Sequence, residues 1–248
     1  MASTIEVLFS PAEYQARRQG GFANSVCVVF DVLRATSVMV TGLANGAAGF
    51  VPVEEIAEAI QLKSKYPQAL LAGERNGLRI TAALSGGVEF DLGNSPREYH
   101  ADQVRGRTII STTTNGTRAL RACASASRVA IASFLNLNAT AEWLRHLSPE
   151  RISLICAGTG ERAAWEDVAC AGALADALPK GVLEDSAAIA RSAYRESKED
   201  LLKAVALAQN ARRLLAHPDL RADVAYCVRR DVYDFAAGFG DDGLIKKM

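Results

Sequence analysis

The chain has 248 residues, of which 49% are apolar and 23% are charged, and its 28 Lys and Arg residues balance 28 Asp and Glu residues. These values are typical of a soluble globular protein with one large α/β domain or two modest ones. A net charge of zero gives no sign of binding to nucleic acid or to an anionic membrane. Affinity for an anion must therefore come from a local site.

No segment near the N-terminus matches a signal peptide, because no basic region precedes the short apolar run. No charge occurs between Ala35 and Val53, but Asn45, Gly49 and Pro52 divide this run. We predict a buried helix and a strand there, and no membrane span. The five cysteines include no CxxC pair, so neither a disulfide framework nor a zinc site is indicated. We expect reduced thiols and a cytoplasmic protein.

Short apolar runs alternate with helical patterns along most of the chain, which is typical of βαβ units and of a largely parallel sheet. In chain order, the predicted strands are 26–30, 49–53, 69–73, 107–111, 128–133 and 151–157. The predicted helices are 37–46, 54–67, 117–125, 139–147, 165–178, 185–197 and 200–216. The sequence therefore predicts an α/β fold with helices that flank a largely parallel sheet.

One segment interrupts this regular pattern, and one near the C-terminus is ambiguous. Residues 74–99 are rich in turn formers, and we interpret them as an excursion from the sheet. We predict a single domain over residues 1–248, and any division into two subdomains would fall at 74–99 or at 148–150. For the apolar segment 222–235, periodicity does not distinguish a closing strand from a helix.

Polar residues follow four of the predicted strands. In an open α/β sheet, ligands bind at the carboxyl ends of the strands. Acids, arginines or small hydrogen-bonding residues occur there at 31–36, 74–75, 112–117 and 158–167. We therefore expect one functional site at this edge of the sheet.

Four acids are candidates for the chemistry of that site. Asp31 directly follows a buried strand, where it could cap the next helix or bind Mg²⁺. Glu74 is either a solvated loop acid or a metal ligand. Glu166 and Asp167 lie in the first turn of a predicted helix, where acids are also favoured by the helix dipole.

Arginines and a threonine-rich loop are candidates for anion binding. Arg34 and Arg75 offer the paired planar donors that suit phosphate or sulfonate, although each could instead form a surface ion pair. The loop Thr112–Thr117 could cradle an oxyanion or could simply cap a helix. It lacks the GK[ST] ending of a P-loop.

Two other enzyme classes have weaker support. Gly158-Thr159-Gly160 loosely matches the glycine pattern of dinucleotide folds, which would suggest a nicotinamide-dependent oxidoreductase. A haloacid dehalogenase phosphatase would have a second acid two residues after Asp31, where this chain has Leu33. An aspartyl-phosphate mechanism is therefore not indicated.

Six motifs resemble, in order, those of the 2-phosphosulfolactate phosphatases, the ComB family. They are DVLRATS from Asp31, GER from Gly73, GNSPREY from Gly93, TTTNGTRA from Thr112, EDVACAGA from Glu166, and YC before Asp231. The resemblance covers nearly the whole chain. It implies an α/β fold with the site between two α/β halves. It also implies Mg²⁺-dependent hydrolysis of 2-phosphosulfolactate to sulfolactate and phosphate, a step toward coenzyme M in methanogens.

The resemblance and the strand-end pattern together give our expectations for the site. We expect the acids Asp31, Glu74, Glu166 and Asp167 to be catalytic, with Asp31, Glu74 and Asp167 binding Mg²⁺. The residues expected to bind the anionic substrate are Arg34, Arg75, Asn94, Ser95, Thr113, Thr114, Asn115, Gly116 and Thr117.

Other functions and assemblies are also compatible with the sequence. The alternatives are a phosphatase of a related phosphorylated hydroxy acid and a non-catalytic anion-binding protein. We expect no nucleic-acid or membrane partner, and the alanine-rich helices toward the C-terminus are candidates for contact with a second copy of the chain.

Overall fold

A computed structural model describes residues 2–17 and 21–248. Within these ranges the strands are β1 Thr4–Leu8, β2 Val26–Phe30, β3 Gly49–Pro52, β4 Leu70–Arg75, β5 Leu78–Arg79, β6 Thr108–Thr112, β7 Arg128–Ala132, β8 Arg151–Cys156, β9 Val182–Leu183, β10 Ala237–Phe239 and β11 Ile245–Lys247.

The α-helices of the same residues are α1 Pro11–Ala16, α2 Ala35–Ala44, α3 Ile56–Lys65, α4 Ala82–Ser85, α5 Ala101–Val104, α6 Gly116–Ala122, α7 Leu137–Leu147, α8 Trp165–Asp176, α9 Asp185–Ser197, α10 Leu201–Ala206, α11 Gln209–Leu215 and α12 Arg221–Cys227. Short 3₁₀-helices occupy 96–98, 134–136 and 198–200. None of the described helices is both long and apolar enough to cross a membrane.

All of these strands belong to one mixed sheet in the order β5-β4-β6-β3-β11-β10-β7-β2-β8-β1-β9. One parallel group contains β4, β6 and β3, and the other contains β7, β2, β8, β1 and β9. The hairpin of β10 and β11 lies between the groups and pairs antiparallel with both β7 and β3. The predicted α/β fold with a largely parallel sheet is confirmed.

The sequence of β2 shows why this sheet is covered on both faces. All five residues of VCVVF are buried. Val28 and Phe30 pack in one hydrophobic cluster, while Cys27 and Val29 belong to a second cluster. Alternate residues of a strand point to opposite faces, so a continuous apolar run is what a doubly covered parallel strand requires. Helices α7 and α8 contribute to the first cluster, and α2 and α6 contribute to the second.

Several elements differ from the sequence-based expectations. The predicted helix 200–216 is divided into α10 and α11, and segment 222–235 contains α12 followed by irregular chain. Strands β1, β5, β9, β10 and β11 are absent from the predicted strands. The segment 74–99 contains the β4–β5 hairpin, the short helix α4 and a 3₁₀ turn.

Candidate active site

The carboxyl ends of strands from both parallel groups meet at one cavity of about 320 Å³. Five strand-to-strand steps separate β6 from β2 in the sheet. A twist of about 20–25° per step accumulates to more than about 100°, which lets two oppositely directed groups present their carboxyl ends to a common space. The residues that line the cavity are Asp31, Leu33, Arg34, Glu74, Asn76, Gly77, Asn94, Thr114, Asn115, Thr159, Gly160, Arg162, Gln209, Asn210, Arg213 and Leu214.

Asp31 caps a helix and also lines this cavity. Its Oδ1 accepts a hydrogen bond from the backbone N–H of Ala35 at 3.1 Å, at the start of α2. Its Oδ2 lies beside Gly116, where a Cβ atom would come within 2.7 Å of this oxygen. A glycine is therefore required at position 116 for the threonine-rich loop to approach the carboxylate.

Glu74 links two loops from the β4 side of the cavity. Its Oε1 accepts hydrogen bonds from the backbone N–H and the hydroxyl of Thr114, both at 2.8 Å. Its Oε2 accepts from the N–H of Gly77 at 2.7 Å, within the β4–β5 turn. Glu74 thus fixes the threonine-rich loop and the hairpin turn relative to each other.

Glu166 and Asp167 occupy the first turn of α8. Asp167 accepts the backbone N–H of Val32 at 2.8 Å and that of Gly158 at 3.1 Å, so it joins the loops after β2 and β8. Glu166 is 1% exposed, and its Oε1 accepts a hydrogen bond from Asn210 at 2.7 Å. Its Oε2 is buried without a hydrogen-bond partner in the described part of the chain. Glu166 lines an adjoining cavity of about 800 Å³ that also contacts Asn210.

The buried acids repel one another. Burial raises the pKa of Asp31 to about 7; the N–H of Ala35 opposes this shift, and the charges of Glu74 and Glu166 reinforce it. Burial also raises the pKa of Asp167 well above its ordinary value, and the charges of Glu166 and Asp31 add to the effect. The pKa of Glu166 is raised by burial as well. Full ionisation of the cluster is therefore unfavourable, because burial and the neighbouring carboxylates both oppose it.

The raised pKa of Asp31, caused first by burial and then by the neighbouring carboxylates, predicts a pH-dependent stability in the presence of EDTA. The unfolded chain ionises Asp31 near the ordinary pKa of 3.8, whereas the folded chain does so near 7, so its ionisation favours unfolding. The stability that Asp31 contributes is therefore lost as the pH rises between about 4 and 7. In urea titrations, we expect the free energy of unfolding of wild type to fall by a few kcal/mol relative to that of Asp31→Asn between pH 5 and pH 8. An unchanged difference between the two proteins across this range would contradict the prediction.

Arg34 belongs to a buried ionic network. It is 3% exposed, and its Nη1 donates to Asp223 Oδ2 at 2.8 Å, while its Nη2 donates to the carbonyl of Gly77 at 2.5 Å. Asp223 is fully buried in α12, and its Oδ1 accepts from Ser95 Oγ at 2.7 Å and from Arg97 Nε at 2.9 Å. One carboxylate therefore faces two guanidinium groups, which leaves a net positive charge beside the cavity.

Four of the other expected substrate residues form hydrogen bonds within the protein and do not line the cavity. Arg75 does not line the cavity, since its Nη2 donates to Thr112 Oγ1 at 3.0 Å and to a backbone carbonyl at 3.1 Å. Thr113 and Thr117 are buried and bond to each other across the start of α6. Ser95 faces Asp223. Asn94, Thr114 and Asn115 do line the cavity.

Sequence reasoning did not select several residues of the site. Asp223, Asn210 and Arg213 come from helices α11 and α12, far along the chain from the strand ends. Their only sequence signal is a polar residue within an otherwise helical, alanine- and leucine-rich pattern. Arg162 was included only within the polar segment 158–167 and was given no role.

The donor atoms of the site suit a hard cation. No group of three or more His, Cys, Asp or Glu residues in the described ranges lies close enough to hold a metal by itself. Mg²⁺ commonly takes only one or two carboxylates and completes its shell with water and substrate phosphate. The unpartnered Glu166 Oε2 fits such an ion, and so does Asp31, whose ionisation is opposed by burial and by nearby carboxylates and would be favoured by a cation.

Comparison with known proteins shows the family of this chain. The family model for 2-phosphosulpholactate phosphatase matches residues 12–239. A probable 2-phosphosulfolactate phosphatase of Pseudothermotoga lettingae is 40% identical over 244 residues, which cover 98% of this chain and 99% of that protein. Its counterpart in Caldicellulosiruptor saccharolyticus is 37% identical over 227 residues, covering 87% and 89% of the two chains.

A third relative confirms the relationship. The probable 2-phosphosulfolactate phosphatase of Thermotoga maritima is 40% identical over 206 residues, covering 83% of this chain and 85% of that protein. The resemblance drawn from the six motifs is confirmed. The chain belongs to the 2-phosphosulpholactate phosphatase family and is a phosphoric monoester hydrolase by class.

Proposed function

We propose that this protein hydrolyses 2-phosphosulfolactate to sulfolactate and phosphate, and that Mg²⁺ is its cofactor. The observation that supports this most is a cavity that joins buried carboxylates and arginines to the carboxyl ends of strands, in a chain of this family. The substrate has a phosphate, a sulfonate and a carboxylate. A cavity of about 320 Å³ suits a molecule of that size.

Asp31 and Glu166 are our candidates for the carboxylates that hold Mg²⁺. Glu166 has an oxygen without a partner, and Asp31 has an oxygen beside the glycine of the threonine-rich loop. Asp167 and Glu74 already accept hydrogen bonds at both oxygens, so we assign them mainly to positioning the loops, with ligation as a secondary role. When bound, Mg²⁺ would neutralise charge on the phosphate oxygens.

The polar residues of the cavity wall would bind and orient the phosphate. Asn94, Thr114 and Asn115 present amide and hydroxyl groups to the cavity. Arg34 contributes a cation whose position is fixed by Asp223 and Gly77. Such donors lower the barrier to hydrolysis only if they are already in place when charge develops, because rearranging them during the reaction would cost energy. The buried contacts of Arg34 and Glu74 hold these donors in place before the reaction begins.

The test is release of inorganic phosphate from 2-phosphosulfolactate by the purified protein. We expect turnover with Mg²⁺, loss of at least about a hundredfold in EDTA because the phosphate charge is then uncompensated, and recovery when Mg²⁺ is restored. Phosphate release that EDTA leaves unchanged would contradict the cofactor. Binding of the substrate without phosphate release, under any metal condition, would favour a non-catalytic anion-binding protein.

A further inference from the structure

Two arginines of the cavity wall have no partner in the described part of the chain. Arg162 and Arg213 both line the cavity and are both exposed. Neither forms a side-chain hydrogen bond or an ion pair with a described residue. A cation that lines an acid-rich cavity and remains unpaired is available to an anionic ligand.

The arginines selected from the sequence are less available. Arg34 is compensated by Asp223, and the guanidinium of Arg75 bonds to Thr112 and to backbone carbonyls away from the cavity. Their hydrogen-bonding capacity is largely used within the protein. A substrate with two acid groups besides its phosphate therefore needs other cations. Arg162 and Arg213 line the cavity and are unpaired among the described residues.

The local structure fixes the position of Arg162. Thr159 and Arg162 exchange backbone hydrogen bonds of 2.8 and 3.1 Å, which closes a tight turn. Gly158 precedes this turn with φ of +73°, and a Cβ atom there would lie 2.5 Å from the carbonyl oxygen of Arg162. Because only glycine fits, the turn holds the backbone of Arg162 at the cavity rim.

The second arginine is tied to the same turn. Asn210 and Arg213 lie three residues apart in α11 and therefore share one face of the helix. Asn210 donates to Thr159 Oγ1 at 2.6 Å as well as to Glu166, so it anchors α11 to the Thr159–Arg162 turn. Arg162 and Arg213 thus lie on two connected elements, and both line the same cavity as Thr114 and Glu74.

We propose that Arg162 and Arg213 bind the acid groups of the substrate that are not transferred, and so select a phosphomonoester that also has a sulfonate and a carboxylate. This inference rests on the proposed function. With the phosphate placed between Asp31 and the threonine-rich loop, these two unpaired guanidinium groups of the same cavity are available to the other acid groups of the substrate. Planar paired donors suit both a carboxylate and a sulfonate.

The test compares three substrates in the presence of Mg²⁺: 2-phosphosulfolactate, 2-phospholactate and propyl phosphate, which has no second acid group. We expect Arg213→Met and Arg162→Met each to raise the KM for 2-phosphosulfolactate by about tenfold to a hundredfold, the loss that follows from one charge-assisted hydrogen bond. The kcat should stay within about twofold, and kcat/KM for propyl phosphate should not change. Arg213→Lys should restore part of the affinity.

Arg212→Met is the matched control, because Arg212 is exposed on the same helix but does not line the cavity. It should behave as wild type with all three substrates. If wild type is active and both methionine variants keep its KM for 2-phosphosulfolactate, the inference fails while the proposed function stands. An equal loss of kcat/KM with propyl phosphate would also overturn the inference, since the effect of the substitution would then not depend on the second acid group. If wild type releases phosphate from none of the three, the proposed function fails first and the inference with it.

Discussion

Asp31→Asn is expected to lower kcat/KM for phosphate release by at least about a hundredfold. The asparagine can still accept the Ala35 N–H at the start of α2, so the cap of the helix is retained. What changes is the atom beside Gly116, where an NH₂ donor replaces a carboxylate oxygen. That change removes a negative ligand from the cavity and directs a donor at the space proposed for Mg²⁺ and phosphate.

The measurement is steady-state phosphate release at saturating Mg²⁺, with circular dichroism to show that the variant is folded. Asp102→Asn is a suitable control, because Asp102 is an exposed acid in the first turn of α5 and does not line the cavity. It should retain wild-type activity. A folded Asp31→Asn protein with activity within fivefold of wild type would exclude Asp31 from the chemistry.

Asp223→Ala is expected to cost about 3–5 kcal/mol in the free energy of unfolding. Asp223 is fully buried and is the carboxylate that faces Arg34, whose side chain is only 2% exposed. Without it, the Arg34 guanidinium is left in the interior without its compensating charge, and Ser95 loses an acceptor. Arg97 suffers less, because its side chain is 43% exposed and can be rehydrated.

Urea denaturation at neutral pH measures this cost. Asp219→Ala serves as the control, because Asp219 is exposed and contributes only its backbone carbonyl to Arg97. Its effect should stay within about 0.5 kcal/mol, as for an ordinary surface substitution. Asp223→Asn keeps an acceptor without the charge and should give an intermediate loss. Equal stability of Asp223→Ala and Asp219→Ala would show that the network contributes nothing to the fold.

The sequence was sufficient to predict β2, β3, β4, β6, β7 and β8, but not the strands at the junction of the two groups or at the two edges of the sheet. β2 is a continuous apolar run, β7 is apolar after Arg128, and β8 is apolar after Arg151 except at Ser153. Such runs are typical of strands buried on both faces. β1 contains Glu6, whose buried carboxylate is compensated by Arg17 and Ser153, and such a long-range pairing leaves no local signal. β10 and β11 have three residues each, too few to show a period.

One local signal was available and was not used. Asn76-Gly77 lies between Arg75 and Leu78, and this dipeptide favours a two-residue hairpin turn with positive φ at both positions. The structure has φ of +56° at Asn76 and +84° at Gly77, and the turn forms the β4–β5 hairpin. Gly77 of this turn bonds to Glu74 and Arg34. Recognition of the hairpin from the sequence would therefore have predicted that the turn lies beside the site.

The position of the candidate site followed from the sequence better than the roles of its residues. Residues after four strands were expected to converge, and Asp31, Glu74, Thr114 and Thr159 do line one cavity. The roles depend on partners that periodicity does not reveal. Arg34 and Arg75 have the same chemistry in the sequence, yet one lines the cavity and the other is directed at backbone carbonyls. The metal and substrate roles stay predictions until they are measured.

The hairpin that joins the two parallel groups has a consequence for the order of folding. Phe50 of β3 pairs with Ile245 of β11, about 195 residues later, so closing that contact costs roughly 5 kcal/mol of chain entropy. Contacts between such distant segments are expected to form late, after the group of β3, β4 and β6, whose paired residues lie 39 to 59 positions apart. The cavity draws on strand ends from both groups. Its assembly therefore depends on the long-range pairings of the sheet, and a chain in which only β3, β4 and β6 have paired would have one part of the cavity wall without the other.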